Sequence, residues 1–217
     1  VAMRARWIGM AVLLLATSAR AQGDVQLITD GGFDDATHAN WGFEIYGTST
    51  LVWTSDDADG GVPGSLLFQK KVGESPNSLR ASQCIDVVPE AEYALSGTLY
   101  WPMTSNAADS EPYLSIAWQL GPNCTGPAGV PDASRVTVGS PPRDVWTGIG
   151  PELVTAPAGV HSGRLYVGVV ANPSPGSLEI FEARWDDVSF VPEPGPASGV
   201  AAIAALVVLA RSRSRID

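Results

Sequence analysis

The sequence has few of the residues that dominate metal-dependent and nucleophilic active sites. It contains two histidines, His38 and His161, and two cysteines, Cys84 and Cys124. Gly-x-Ser-x-Gly, His-Glu-x-x-His and phosphate-binding glycine motifs are all absent. We expect both histidines to lie in solvent-exposed loops. The scarcity of catalytic motifs predicts that the protein is not an enzyme.

Positive charge is also scarce between the two ends of the chain. The formal net charge is -10, although the sequence has 13 Lys and Arg residues. Six of these 13 lie in the end segments: Arg4, Arg6, Arg20, Arg211, Arg213 and Arg215. The central region is therefore more acidic than the whole chain, and it would repel nucleic acid phosphates. We predict that the protein binds no nucleic acid.

The first 21 residues have the pattern of a secretory signal peptide. A basic start is followed by an apolar run from Trp7 to Ala16, and small residues stand at Ala19 and Ala21. The apolar run is shorter than the about 20 residues that span a bilayer. We predict cleavage after Ala21 and export, with a retained membrane anchor as the alternative.

The last part of the chain, residues 191–217, combines three features in a fixed order. Pro192, Glu193 and Pro194 precede an uncharged apolar run of small residues, and an arginine cluster follows. The run is about 15 residues long, which is marginal for a membrane helix. The arginines favour the cytoplasmic side. An ordinary tail anchor after a proline-rich linker is one interpretation.

This order of features resembles the PEP-CTERM sorting signal of Gram-negative bacteria. The resemblance implies an exosortase-type processing enzyme as a partner and membrane attachment through the C-terminal apolar helix, at least transiently. It also implies a location at the cell envelope or outside the cell.

Residues 22–190 show short runs that alternate between apolar and polar residues. This pattern is clearest in residues 93–101, 113–120 and 164–169. Further strands are predicted at 24–29, 41–46, 50–54, 64–70, 83–87, 134–138, 145–148 and 178–190. Many short strands with long, uneven loops favour an all-β sandwich over an up-and-down barrel.

The two cysteines both lie in the region that we predict to be exported. An even number of cysteines in an oxidising compartment predicts a disulfide between Cys84 and Cys124. In the chain-entropy model, such a bond stabilises the fold by about 3–4 kcal/mol. A zinc site is the weaker alternative, because zinc usually takes more Cys and His ligands.

Four segments of this region resemble a carbohydrate-binding module of the galactose-binding-like jelly-roll superfamily. They are residues 27–34 with Trp41, residues 83–89 with 93–97, Trp146 with residues 156–160 and the strand from Arg164, and residues 185–190. The resemblance implies a jelly-roll β-sandwich whose first and last strands lie close together.

In modules of this kind, a structural Ca²⁺ often joins the first loop to the last strand. The resemblance implies that Asp30, Asp34, Asp186 and Asp187 supply its carboxylate ligands. Calcium takes six to eight oxygen ligands, including carboxylates and backbone carbonyls. The alternative is that Asp30 and Asp34 only form turns and that Asp187 caps a loop.

A sugar site on this fold needs an aromatic ring and polar groups that meet hydroxyls. If the three clearest strands are neighbours in one sheet, their outward residues form one platform: Tyr100, Tyr113, Ser115, Gln119, Arg164 and Tyr166. We expect Trp53 to be exposed as well. We expect the other tryptophans of the domain to pack in the core: Trp41, Trp101, Trp118, Trp146 and Trp185.

These features predict an exported, envelope-associated β-sandwich that binds carbohydrate or extracellular matrix without catalysing a reaction. A purely structural envelope or matrix protein without a sugar site is the first alternative. A polysaccharide-active enzyme is the second.

Overall fold

The computed structural model describes residues 26–45, 47–61, 63–71, 78–105, 110–127, 134–138, 141–171 and 180–193. The predicted signal peptide, Pro194, the apolar tail and the arginine cluster lie outside these residues. Among the residues described, no helix is long and apolar enough to cross a membrane.

The described residues form ten strands in two antiparallel sheets. The strands are β1 (Gly42–Glu44), β2 (Thr50–Thr54), β3 (Ser65–Lys71), β4 (Ser78–Asp86), β5 (Glu92–Tyr100), β6 (Ser110–Gln119), β7 (Ser134–Thr137), β8 (Trp146–Thr155), β9 (Ser162–Ala171) and β10 (Ile180–Pro192). The first sheet has the order β1-β4-β9-β6-β7, and the second has the order β2-β3-β10-β5-β8. The predicted all-β sandwich is confirmed.

The strand predicted at 24–29 is wrong for the four residues of it that are described, 26–29, which form no strand. This segment is instead attached to the last strand, because the Leu27 N–H donates to the Phe190 carbonyl at 3.1 Å. Strand β8 is much longer than the predicted 145–148. It lies at the edge of its sheet, where most of its residues are exposed, so its sequence shows little alternation.

The core lies between the two sheets and is filled by the inward residues of both. Four of the predicted core tryptophans are buried there: Trp41, Trp101, Trp118 and Trp185. Fully burying a large apolar side chain stabilises the fold by about 1.5–3 kcal/mol. The alternation that predicted the strands is therefore also what builds the core.

The first loop and the last strand meet, as the family resemblance implied. The Val188 N–H donates to the Gly31 carbonyl at 2.8 Å. A Cβ at Gly31 would overlap the Val188 carbonyl oxygen, so this close approach requires glycine.

The predicted disulfide is confirmed between Cys84 and Cys124, whose Cα atoms lie 5.9 Å apart. Cys84 is on the outer side of β4. The bond therefore fastens the 3-10 turn Pro122–Cys124 to the outside of the first sheet.

The last strand extends two residues beyond the predicted domain boundary at residue 190. Pro192 pairs with Tyr93, and the Glu193 N–H donates to the Glu92 carbonyl at 2.9 Å. The first two residues of the predicted sorting motif therefore belong to the end of the second sheet.

Candidate functional site

The structure divides the predicted aromatic platform between two sheets. Strands β6 and β9 are neighbours in the first sheet, whereas β5 belongs to the second. The platform residues of β6 and β9 share one outer face: Tyr113, Ser115, Gln119, Arg164 and Tyr166. The placement of Tyr100 with them was wrong. Alternation identifies which side of a strand is outward, but not which sheet the strand joins.

The outer face of the first sheet is centred on Tyr166, on the middle strand β9. We call it the Tyr166 face and define it by Arg80, Ser82, Ser115, Gln119, Arg164 and Tyr166. Ser82 and Ser115 lie opposite Tyr166 on the two neighbouring strands. The half-buried Tyr166 ring is therefore flanked by hydroxyl groups in the middle of a five-stranded sheet.

Arg80 fixes the Tyr166 ring in place on this face, although it was not predicted as a site residue. Its guanidinium carbon lies 4.3 Å from the centre of the Tyr166 ring, and it pairs with Glu44 at 2.7 Å. Burial disfavours the charge of Arg80, but the hydrogen bond and charge of Glu44 outweigh burial and raise its pKa. The prediction missed Arg80 because it began this strand at residue 83 instead of Ser78.

The residues of the Tyr166 face and the neighbouring Tyr113 differ in accessibility. Tyr113 is only 6% exposed, and a Cβ at Gly168 would lie 3.0 Å from the Tyr113 Cζ atom. The Tyr113 ring therefore supports the face from beside β9. Gln119, Arg164 and Tyr166 are half-buried and accessible to a ligand. Within the described part of the chain, Arg164 forms no ion pair.

The disulfide and its turn bound one end of the Tyr166 face. Cys84 pairs with Arg164 in the sheet register. The Cys124 N–H donates to the Ser162 hydroxyl at 2.9 Å, and that hydroxyl donates to the Gly121 carbonyl at 2.6 Å. These contacts hold the turn rigidly beside Arg164.

A row of side chains crosses the outer face of the second sheet from edge to edge. We call it the Tyr100 face and define it by Val52, Leu67, Arg184, Tyr100 and Trp146, which are neighbours in register. The rings of Tyr100 and Trp146 are 5.4 Å apart. Arg184 lies 5.1 Å from the Tyr100 ring centre and pairs with Asp56 at 2.7 Å.

Two tryptophan predictions were wrong. Trp146 was expected in the core, but it is half-buried on the Tyr100 face, because it pairs with the outward Tyr100 in the register. Trp53 was expected to be exposed, but it packs against the core, and its indole N–H donates to the Phe33 carbonyl at 2.8 Å.

The prediction for one histidine was also wrong. His161 is exposed, as expected. His38 is only 7% exposed and makes edge-on contacts with the rings of Phe33 and Phe43. Its Nδ1 atom is 4.0 Å from a carboxylate oxygen of Asp30.

Several carboxylates converge beside the second sheet. Burial raises the pKa of Asp187, and the charges of Asp59, Asp57 and Asp34 raise it further. The pKa of Asp34 is also raised by burial, and then by Asp30, Asp57 and Asp59. Two of the predicted calcium ligands thus interact with each other, together with Asp57 and Asp59 of a loop that was not included in the prediction.

The other two predicted ligands make local hydrogen bonds. Asp186 accepts the Ala58 N–H at 2.9 Å and the Asp187 N–H at 2.7 Å, while burial raises its pKa to about 7 in spite of these bonds. Asp30 accepts the Asp35 N–H at 3.1 Å. Both residues therefore support the local loop and turn structure.

These acidic residues do not form a ready coordination shell. Among the side chains that the structure describes, no three acidic, His or Cys groups are placed to hold one metal ion together. The converging charges have the chemistry that Ca²⁺ prefers. Calcium binding stays a prediction.

No protein-family model and no curated protein matches the sequence. Solved structures do match the fold. One is the enzymatically active domain of tailspike protein 4 from bacteriophage CBA120, with a TM-score of 0.56 and 15% identity. The match covers 77% of this chain but only 21% of the tailspike chain.

Two family 22 carbohydrate-binding modules match over nearly their whole length. The C-terminal family 22 carbohydrate-binding module of Clostridium thermocellum Xyn10B has a TM-score of 0.50 and 13% identity, covering 80% of this chain and 96% of that one. A family 22 xylan-binding domain has a TM-score of 0.50 and 14% identity, covering 81% and 98%. At these identities the likeness shows the fold, a jelly-roll β-sandwich like that of carbohydrate-binding modules.

Proposed function

We propose that this protein is an exported, non-enzymatic β-sandwich that binds carbohydrate of the cell envelope or extracellular matrix through its Tyr166 face. One observation carries the proposal. A half-buried tyrosine at the centre of the first sheet is held by Arg80, with Ser82 and Ser115 opposite it and Arg164 two residues away on the same strand. An aromatic ring among hydrogen-bonding groups suits the apolar and polar sides of a sugar.

The charged residues of this face indicate which class of sugar it would bind. Arg80 is paired with Glu44, while Arg164 has no ion-pair partner among the residues described. The guanidinium group binds carboxylates through two parallel hydrogen bonds. The Tyr166 face therefore favours a glycan that carries carboxylates, such as a polyuronate.

The proposed location outside the cytoplasm rests on three features. They are the signal-peptide pattern of residues 1–21, the PEP-CTERM-like pattern of residues 191–217, and the Cys84–Cys124 disulfide, which suits an oxidising compartment. The exosortase-type partner and attachment to the membrane of a Gram-negative bacterium follow from the second feature. A structural Ca²⁺ near Asp34 and Asp187 is part of the same proposal.

The proposal is tested by affinity electrophoresis of the full chain in gels that contain polygalacturonate. We expect retardation, which Tyr166→Ala and Arg164→Ala each reduce at least tenfold in apparent affinity. Glu90→Gln, an exposed change at a loop, is the matched control and should leave the retardation unchanged.

Two results would contradict the proposal. One is the absence of retardation by polygalacturonate. The other is retardation that neither Tyr166→Ala nor Arg164→Ala changes. The first result would favour a purely structural protein, and the second would favour binding at a different surface.

A further inference from the structure

The Tyr100 face lies on the opposite side of the sandwich from the Tyr166 face and shares no residue with it. It holds Trp146, the one tryptophan among the residues described whose ring is on an outer sheet surface. Trp146 and Tyr100 are adjacent, with their ring planes inclined by 55°. Together they form an aromatic strip beside a guanidinium group.

The segments that carry the two rings are fastened to each other. The Tyr100 hydroxyl is 3.5 Å from Asp144, which also accepts the Met103 N–H at 2.8 Å. The Asp144 N–H in turn donates to the Trp101 carbonyl at 3.0 Å. Arg143 stacks 3.8 Å from the Trp101 ring centre. A rigid support of this kind lowers the entropy cost of binding a ligand.

The polar groups of this face carry an excess of negative charge. Arg184 pairs with Asp56 at 2.7 Å and with Glu182 at 3.1 Å, and Glu182 also accepts the Gln69 amide at 3.1 Å. Asp144 adds a third carboxylate. Carboxylates accept hydrogen bonds from hydroxyl groups but repel anions. This charge balance fits a neutral glycan and disfavours a polyuronate.

The composition of the strip also disfavours a protein partner. The centre of a protein interface is depleted in charged residues. Here a charged cluster occupies the middle of the row and separates the aromatic rings from the apolar pair of Val52, 43% exposed, and Leu67 at the far end. A sugar ring needs only one aromatic surface and neighbouring polar groups.

We infer that the Tyr100 face is a second glycan site, which binds a neutral sugar chain by stacking on Trp146 and Tyr100. Because it is opposite the Tyr166 face, one domain can bridge a neutral chain and a carboxylate-bearing chain. The bridging rests on the proposed function of the Tyr166 face, whereas the second site does not.

The test is calorimetric titration of the full chain with xylohexaose, a neutral linear probe. We expect binding that Trp146→Ala and Tyr100→Ala each weaken at least tenfold and that Trp146→Phe largely retains. Tyr166→Ala should leave xylohexaose binding unchanged. Melting temperatures of all variants show that the fold is intact.

Bridging is measured by mixing beads that carry xylan with beads that carry polygalacturonate. The protein should agglutinate the mixture, and either Trp146→Ala or Tyr166→Ala should abolish agglutination. Retained polygalacturonate binding without any xylohexaose binding would overturn the second site alone. Xylohexaose binding without polygalacturonate binding would support the second site and overturn the Tyr166 proposal and the bridging.

Discussion

The two outer faces of the sandwich share one arrangement of an arginine, a tyrosine and a carboxylate, but they differ in the charged residues around it. On each face an arginine lies over a tyrosine and is fixed by a carboxylate at 2.7 Å: Arg80 with Tyr166 and Glu44, and Arg184 with Tyr100 and Asp56. The Tyr166 face adds Arg164, which forms no ion pair with any residue that the structure describes, whereas the Tyr100 face adds Glu182 and Asp144. One fold can therefore present similar aromatic centres beside different charged groups.

The disulfide is the largest difference between the faces, because it braces only the Tyr166 face. Changing both Cys84 and Cys124 to Ser should lower the free energy of unfolding by about 3–4 kcal/mol, since the bond closes a loop with a sequence separation of 40. Urea denaturation measures this loss. Polygalacturonate affinity should fall more than xylohexaose affinity. Equal losses on both faces would show that the turn does not shape the Tyr166 face.

Calcium should stabilise the fold by binding beside the second sheet, near Asp34 and Asp187. At a concentration of about 100 times its dissociation constant, a bound ion adds about 2.7 kcal/mol of stability. We expect Ca²⁺ to raise the melting temperature of the full chain, EDTA to reverse this, and Asp187→Asn to abolish it. Glu90→Gln is the control. A melting temperature that is the same in Ca²⁺ and in EDTA would exclude the site.

Asp186 should make stability depend on pH. Its pKa in the folded protein is about 7, compared with 3.8 for a free carboxyl group, because burial favours the neutral form. The stabilising contribution of the protonated form is complete at low pH and is lost as the pH rises through about 7.

The measurement is the melting temperature in calcium-free buffer between about pH 4 and about pH 8. We expect it to fall by a few degrees as the pH rises, and Asp186→Asn should flatten this dependence. The Ala58 N–H donates to Asp186 and attaches the loop around Ala58, beside the Tyr100 face, to the last strand. The same variant therefore also tests whether this carboxyl group is needed to hold that loop. An unchanged profile in the variant would assign the pH dependence to other groups.

Salt concentration should affect ligand binding at the two faces differently. This is the smallest of the effects that we predict. Screening weakens exposed charge interactions, with a Debye length of about 10 Å at 0.1 M ionic strength. We expect the affinity for polygalacturonate to fall several-fold between about 0.05 and about 0.5 M NaCl. The affinity for xylohexaose should change less than twofold. A similar salt dependence for both probes would mean that they share one face.

Alternation in the sequence predicted the sandwich and the outward direction of Tyr166, because burial requires a period of two in a strand with one buried face. It could not assign β5 to the second sheet, since that depends on pairing between distant segments. It also failed for Trp146, because this residue points outward through its pairing with Tyr100 in the register. The convergence of Asp57 with Asp187 depends on how two loops fold together, which no local pattern encodes.

The position of β10 has a consequence for mechanical load. This strand is the middle one of the second sheet, paired with β3 on one side and with β5 on the other, and it continues towards residues 194–217. Hydrogen bonds in an antiparallel ladder lie perpendicular to the strands. Tension applied along the chain beyond Glu193 therefore shears many bonds together instead of peeling them one at a time. A domain held by its tail and attached to glycans on both faces would resist tension through its central strand.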